Sequence, residues 1–484
     1  MNLRAGVPMN LVRNGRIAAL LFCFLICVAC GDVYRPTIIP NPVPTPDPKN
    51  FHSAIVVNQN TTFNPGTGMQ VDVSGDSNSG VTKVALGPVH AALLTTSLGP
   101  KVFVANGLSN SVSLFTPATT GSNISASSDI NLPDGFSPVF VHSTESANAY
   151  VASASSPNPT ANPGIVVAIG TSNDVVSASI PVGRNPVAMA ETPNGQELYV
   201  VNQADANVSH IHTVDRSVVT PSIPVGPSPS LAYARGDNQR IYVLNQGSIT
   251  TISTFDDSIV NGGATAVDSG ANFMAYDSRL NRVYVTSSSG FLYVYNAAVD
   301  PGSTGAPFLM KQIAIPGAGN CAQCVPVSVA ALPDGSRVYV GSAIETTDTT
   351  KCTQPIGLPA VNCFLTQVTV VDAVSLTLRS GSTTSPNPIP VPTASATVPP
   401  GSPVYTEANC SSVRFRVSMA VGADSSRVYL AACDAGGVAS INTSNDTYVV
   451  TLPSPVSAYA PIQTNPNVPA QPPPQNPVFL FTAE

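Results

Sequence analysis

Histidine is scarce in this sequence, with only five copies, at positions 52, 90, 142, 210 and 212, among 484 residues. That scarcity limits any metal centre or His-dependent triad to a handful of positions. The strings that announce common chemistries are also missing: there is no G-x-S-x-G elbow, H-E-x-x-H pair, phosphate-binding Walker loop or dinucleotide fingerprint in a strand-to-helix context. Charged residues make up only 10% of the chain. Helix formers are few, whereas 46 prolines and 35 glycines, with abundant Ser, Thr and Asn, give a turn-rich β composition. The formal charge is -7, spread diffusely, and an acidic surface argues against nucleic acid as a partner. Hydrophobic residues reach 43%, enough for a large core. A chain of this length can remain one domain if it grows by adding β modules.

Residues 1–29 read as an export signal. Arg4, Arg13 and Arg16 precede the apolar run Ile17–Ala29, which is too short to span a bilayer. Without those three arginines, 17 of the 20 basic residues face 27 acidic ones. The string Cys27-Val28-Ala29-Cys30 resembles the lipobox of bacterial lipoproteins, with Cys27 standing where Leu is usual. The resemblance implies lipidation of Cys30, and Gly31 in place of Asp after it implies the outer membrane. An ordinary cleaved secretion signal or a retained anchor helix is the alternative. Prolines at 36, 40, 42, 44, 46 and 48 then make residues 30–50 an extended tether, able to reach about 60 Å at roughly 3.1 Å per residue. The expected location is therefore the cell envelope, with the membrane as a partner through the lipid.

From residue 51 to 484 the chain repeats itself. Ile55-Val-Val-Asn, Val102-Phe-Val-Ala-Asn, Ala149-Tyr-Val-Ala-Ser, Leu198-Tyr-Val-Val-Asn, Ile241-Tyr-Val-Leu-Asn, Val283-Tyr-Val-Thr-Ser, Val338-Tyr-Val-Gly-Ser and Val428-Tyr-Leu-Ala-Ala recur about every 45 residues until an insertion separates the last two. Each copy lies in the same context. A first strand, A, opens at Pro88, Pro138, Pro186, Pro229, Asn272, Pro326 and Val413. A turn such as Pro193-Asn194-Gly195 leads into the aromatic strand, B. Strand C closes on Asp215, Asn296, Asp372 or Asn442, where a side chain can form an Asx turn, and strand D ends on Ile-Pro-Val-Gly. The strings around Tyr199 and Tyr284 resemble the YVTN-type β-propeller repeat. The resemblance covers roughly residues 55–455 and implies an all-β propeller of four-stranded blades. Seven units are complete. Strand-like Ile55–Asn58, Met69–Val73 and Val81–Leu86 at one end, with Pro455–Ala460 and Pro477–Thr482 at the other, supply an eighth blade that closes the ring, or pad a seven-bladed one.

Insertions fall near 344–365, 380–405 and 461–476. Six cysteines remain beyond Cys30: Cys321, Cys324, Cys352, Cys363, Cys410 and Cys433, all in the C-terminal third. An even number in an exported chain points to disulfides. Cys410 and Cys433 flank one hairpin and are expected to pair. Cys352 would then join Cys363 and Cys321 join Cys324, although the latter C-x-x-C could alternatively be redox-active or bind metal.

Among polar residues, His90 and His142 on strand A, with Glu191 and Arg235 near the ends of later A strands, make the best pocket at the central channel; scattered rim polars are the plainer reading. His210 and His212 share one strand face, read as surface alternation in preference to a metal site. The stretch Asp72–Asn78 lacks EF-hand spacing and reads as a hairpin turn. No cofactor or metal is called for. A monomeric binding or scaffold module for an unknown protein, glycan or small ligand is the leading expectation. The alternatives are a propeller hydrolase, lactonase-like by the YVTN resemblance, and a structural surface component.

Overall fold

The computed structural model describes residues 53–60, 63–96, 99–119, 123–143, 148–260, 264–297, 306–318, 325–346, 363–392, 410, 416–455 and 475–483. The signal segment, Cys30 and the proline-rich tether lie outside these residues, as do Cys321, Cys324, Cys352 and nearly all of the strand expected over Pro455–Ala460. No helix among the described residues is long and apolar enough to cross a membrane.

Alternating apolar strings separated by Asn, Asp and Gly turns fold as antiparallel ribbons, and four such strands make each blade. Blade 1 is composite. Its strands B, C and D are Ser53–Gln59, Pro65–Asp72 and Ser77–Leu86, while its innermost strand A is the C-terminal Asn476–Ala483. Blades 2 to 8 each follow the order A-B-C-D along the chain. Their A strands are Pro88–Thr96, Phe136–Ser143, Pro186–Glu191, Leu231–Ala234, Ala271–Asp277, Val325–Ala331 and Val417–Val421. Each A strand packs beside the next, and Asn476–Ala483 meets both Val417–Val421 and Pro88–Thr96. The ring is therefore closed with eight blades. Ser53 pairs with Ala483 and Val56 with Leu480, so the first and last described strands share one sheet and leave no inner edge open.

The aromatic position of strand B explains the repeat. Ile55, Phe103, Tyr150, Tyr199, Tyr242, Tyr284, Tyr339 and Tyr429 are all fully buried between blades, each removing enough apolar surface to contribute about 2 kcal/mol. A buried phenol needs an acceptor. Tyr339, Tyr199 and Tyr429 find one across the blade junction, donating to Asp446 at 2.6 Å, Asp257 at 3.1 Å and Asp76 at 2.9 Å. These aspartates occupy C–D turns at φ of 56°, 56° and 45°, a left-handed conformation that Asp tolerates better than most residues. A basic residue near the start of strand B reaches an aspartate in the C–D turn of the next blade. Arg337 bonds Asp446 at 2.9 Å, Arg427 bonds Asp76 at 3.0 Å, and Lys101 bonds Asp174 at 2.7 Å. Staples of this kind join blades 2 to 3, 7 to 8, and 8 to 1.

Gly341 replaces the bulkier residue that the repeat usually carries there. A methyl group at that position would lie 2.6 Å from the Met419 sulfur and 2.7 Å from a Val417 methyl. Blade 7 thus presses strand B directly onto the inner strand of blade 8. The Asx turns expected from the sequence are present where they can be seen. Asp215, Asp372 and Asn442 accept the amides of Ser217, Val374 and Ser444 at 2.9, 3.0 and 2.9 Å. Asp72 likewise caps a hairpin turn by accepting the Ser74 amide at 3.0 Å.

Candidate functional site

Of the four residues expected at the channel, the structure brings His142 and Glu191 together. They stand near the ends of neighbouring A strands, in blades 3 and 4, with His142 Nε2 3.7 Å from Glu191 Oε2. The Glu191 carboxyl has no solvent exposure. Burial pushes His142 down to about 4, so the imidazole is neutral at ordinary pH. His90 is placed differently. Its ring stacks on Phe140 at 4.0 Å and on Phe479 at 4.1 Å, wedged among the A strands of blades 1 to 3. Arg235 makes a two-pronged bond to Asp237, at 2.8 and 2.7 Å, just beyond the inner strand of blade 5. The quartet is thus one close pair and two residues engaged elsewhere.

A tighter constellation lies between blades 4 and 5. Glu197 opens strand B of blade 4 after the turn Pro193-Asn194-Gly195, and Gly195 takes φ 68° there. Strand C returns antiparallel, so that His210 pairs with Tyr199 and His212 with Glu197. All four side chains consequently project from one face of the blade. His210 Nε2 donates to Glu197 Oε2 at 2.7 Å, His210 Nδ1 donates to Asp257 Oδ2 at 2.7 Å, and His212 Nδ1 lies 2.6 Å from Glu197 Oε2. Tyr199 stacks flat on His210, 4.4 Å between centroids at 10°.

This arrangement corrects the sequence expectation of surface alternation for the pair. His210 has a side chain only 7% exposed, whereas His212 keeps 45%. Burial works against a charged His210, but hydrogen bonds to Asp257 and Glu197 outweigh it and raise the ring above its ordinary value. Both ring nitrogens face carboxylates, an arrangement that favours the doubly protonated ring. Glu197 and Asp257 were not singled out from the sequence. The available signal was positional: Lys101, Arg240, Arg282, Arg337 and Arg427 stand where blade 4 has Glu197.

The third feature is an elaboration of blades 7 and 8. Strands B and C of blade 7, Arg337–Thr346 and Cys363–Asp372, continue past Ser342, near which the other copies turn. The short strand Ile389–Val391 adds to this hairpin by pairing with Thr366–Val368. Arg416 lays its guanidinium over Phe364, 3.6 Å from the ring centre, and bonds Asp434 at 2.7 Å. Beside it Cys410 and Cys433 form the expected disulfide; the Cys363 side chain lies outside the described set. Burial raises the Asp434 carboxyl to about 6 although Arg416 opposes the shift. The extended hairpin, the disulfide and the ends of the described strands flanking residues 347–362, 393–409 and 456–474 all lie on the face of the B–C turns. The histidine cluster and Ser53, where the described chain enters, lie on the opposite face, that of the A–B and C–D turns.

No protein-family model matches the sequence, and no curated protein matches it. Solved structures do resemble the fold. The chain is similar to apo AztD from Citrobacter koseri, with 10% identity over 90% of this chain and 98% of that one at a TM-score of 0.51. It also resembles a protein from Bacteroides fragilis provisionally assigned as a 6-phosphogluconolactonase, with 13% identity over 69% and 95% of the two chains and a TM-score of 0.49. A hydrazine synthase chain of Kuenenia stuttgartiensis gives 17% identity, 64% and 78% coverage and a TM-score of 0.46. At such identities the likeness reaches the fold alone, and the chain is a β-propeller of eight four-stranded blades.

Proposed function

We propose that this protein is an exported, lipid-anchored binding or scaffold module of the cell envelope, and that its recognition surface is the elaborated face of blades 7 and 8. One observation carries the reading: the extended hairpin of blade 7, the added strand Ile389–Val391 and the Cys410–Cys433 disulfide lie together on one face, opposite the one where the described chain enters at Ser53. A lipid on Cys30, joined through residues 31–52 to Ser53, would attach to the ring on the face opposite the extended hairpin and leave that hairpin unobstructed by the attachment. The cross-links there support a presented surface. The Cys410–Cys433 disulfide and the Arg416–Asp434 pair stand beside the hairpin, and Arg416 lies over its Phe364; cross-links of this kind lower the ordering cost of binding.

Two measurements test this. Labelled palmitate should enter the wild-type chain and not Cys30→Ala; equal labelling would remove the anchor. A photo-crosslinking residue at Leu365 on the extended hairpin should give a discrete adduct in intact cells. The same residue at Val214, 87% exposed on the opposite face, should give none. Adducts at Val214 alone would place recognition on the other face.

A further inference from the structure

Five blades carry a basic residue two positions before the buried aromatic of strand B, and in three of them that cation meets an aspartate of the next blade. At the junction of blades 4 and 5 the residue at that position is Glu197, and the aspartate, Asp257, is still in place. Two carboxylates therefore face one junction where the repeat has one, and a cation is needed between them. His210 stands in that gap.

We propose that Glu197, His210 and His212 bind one divalent transition-metal ion of the zinc class. Their donor atoms, one carboxylate oxygen and two imidazole nitrogens, lie within 4.8 Å of one another. Tetrahedral zinc, with bonds of about 2.0–2.2 Å, sets its ligands roughly 3.3 Å apart. Opening the contacts from Glu197 to the two rings, now 2.7 and 2.6 Å, by about 0.6 Å reaches that spacing. Asp257 is an independent pointer. Its carboxylate holds Nδ1 of His210 at 2.7 Å and so aims Nε2 of a buried ring at the site, the outer-shell arrangement that orients ligating histidines. Binding exchanges protons for the ion: the Nε2 proton of His210 leaves to solvent, and His212 turns a lone pair at Nδ1 to the metal with its proton on Nε2. Oxidation states do not change. Three protein ligands leave a fourth position, which opens to solvent on the His212 side. The site therefore takes up an ion from solution, with room for water or an external donor.

The test uses the purified full chain, kept oxidised and stripped with chelator. Zinc is titrated in competition with a chromophoric chelator, and Co2+ is added as a spectroscopic probe. One ion per chain is expected, with a d–d spectrum of nitrogen and oxygen ligands. His212→Ala, at the exposed ligand, should weaken zinc at least tenfold while the metal-free chain still unfolds in a cooperative melt, and Glu197→Gln should weaken it similarly. No uptake by the wild type, affinity unchanged in His212→Ala, or a thiolate-to-cobalt charge-transfer band would each overturn the proposal.

Discussion

Replacing Asp446 with alanine should cost the protein about 4 kcal/mol. The carboxylate is 9% exposed and takes Arg337 at 2.9 Å, Tyr339 at 2.6 Å and Arg379 at 3.1 Å. Removing it strands the buried Tyr339 hydroxyl and the Arg337 guanidinium, at about 1–3 kcal/mol each for an unsatisfied buried group. Arg379 is 37% exposed and adds only a few tenths of a kcal/mol, because water screens it. Alanine must also hold the turn at φ 56°, which costs about 1 kcal/mol more than Asp there. The total agrees with the roughly 3–5 kcal/mol for deleting one partner of a buried ion pair. Asp446→Asn keeps the left-handed preference and one acceptor, so it should lose only about 1–2 kcal/mol. Urea unfolding supplies the numbers. A ring of this size need not unfold in one step, so the comparison rests on midpoints measured at equal slope. Tyr339→Phe completes a double-mutant cycle, with a coupling of about 1 kcal/mol expected between the two residues. An Asp446→Ala protein within 1 kcal/mol of wild type, or strict additivity with Tyr339→Phe, would refute the idea that this turn carboxylate staples blade 7 to blade 8.

Two further outcomes follow from particular contacts. Gly341→Ala should destabilise by about 1–3 kcal/mol through forced overlap with Met419 and Val417, and Met419→Ala in the same chain should recover part of that loss; a silent Gly341→Ala would mean the blades are looser than described. The depressed value of His142, about 4 against an ordinary 6.5, means that the unfolded chain takes up a proton between those limits and the folded chain does not. The associated stability is full above about pH 6.5 and disappears as pH falls toward 4, on the order of 2 kcal/mol after allowing for a ring that keeps 28% exposure. His142→Asn should flatten that acid limb in melting curves taken across the range, and an unchanged slope would rule the residue out as its source.

The repeat was readable from the sequence because it is a physical necessity. A blade buries one aromatic at the centre of strand B, and Tyr150, Tyr199, Tyr242, Tyr284, Tyr339 and Tyr429 mark it in six copies. The composite blade was also within reach, since Pro477–Thr482 and Ile55–Asn58 each lacked partners of their own. The pairing of Cys410 with Cys433 followed from their positions around one hairpin. Side-chain constellations were harder to see. Glu197 meets His212 through strand register, and His210 meets Asp257 only because a neighbouring blade, 47 residues on, brings its C–D turn across the junction. The channel quartet fared unevenly for a related reason. Sharing strand A does not decide which side chains meet: His142 came beside Glu191, while His90 packed between Phe140 and Phe479.

Ring closure by the last strand is tested most directly by ending the chain after Gln475. This removes Val478 and Leu480, both almost fully buried, and leaves the strand Ser53–Gln59 without its partner. Hydrogen exchange should then show the amides of Ser53–Gln59 losing their protection in the shortened chain, with a lowered melting temperature, while those of Glu197–Asn202 on the far side of the ring stay slower. Equal protection of Ser53–Gln59 in both chains would contradict a ring whose first blade is completed by its final strand.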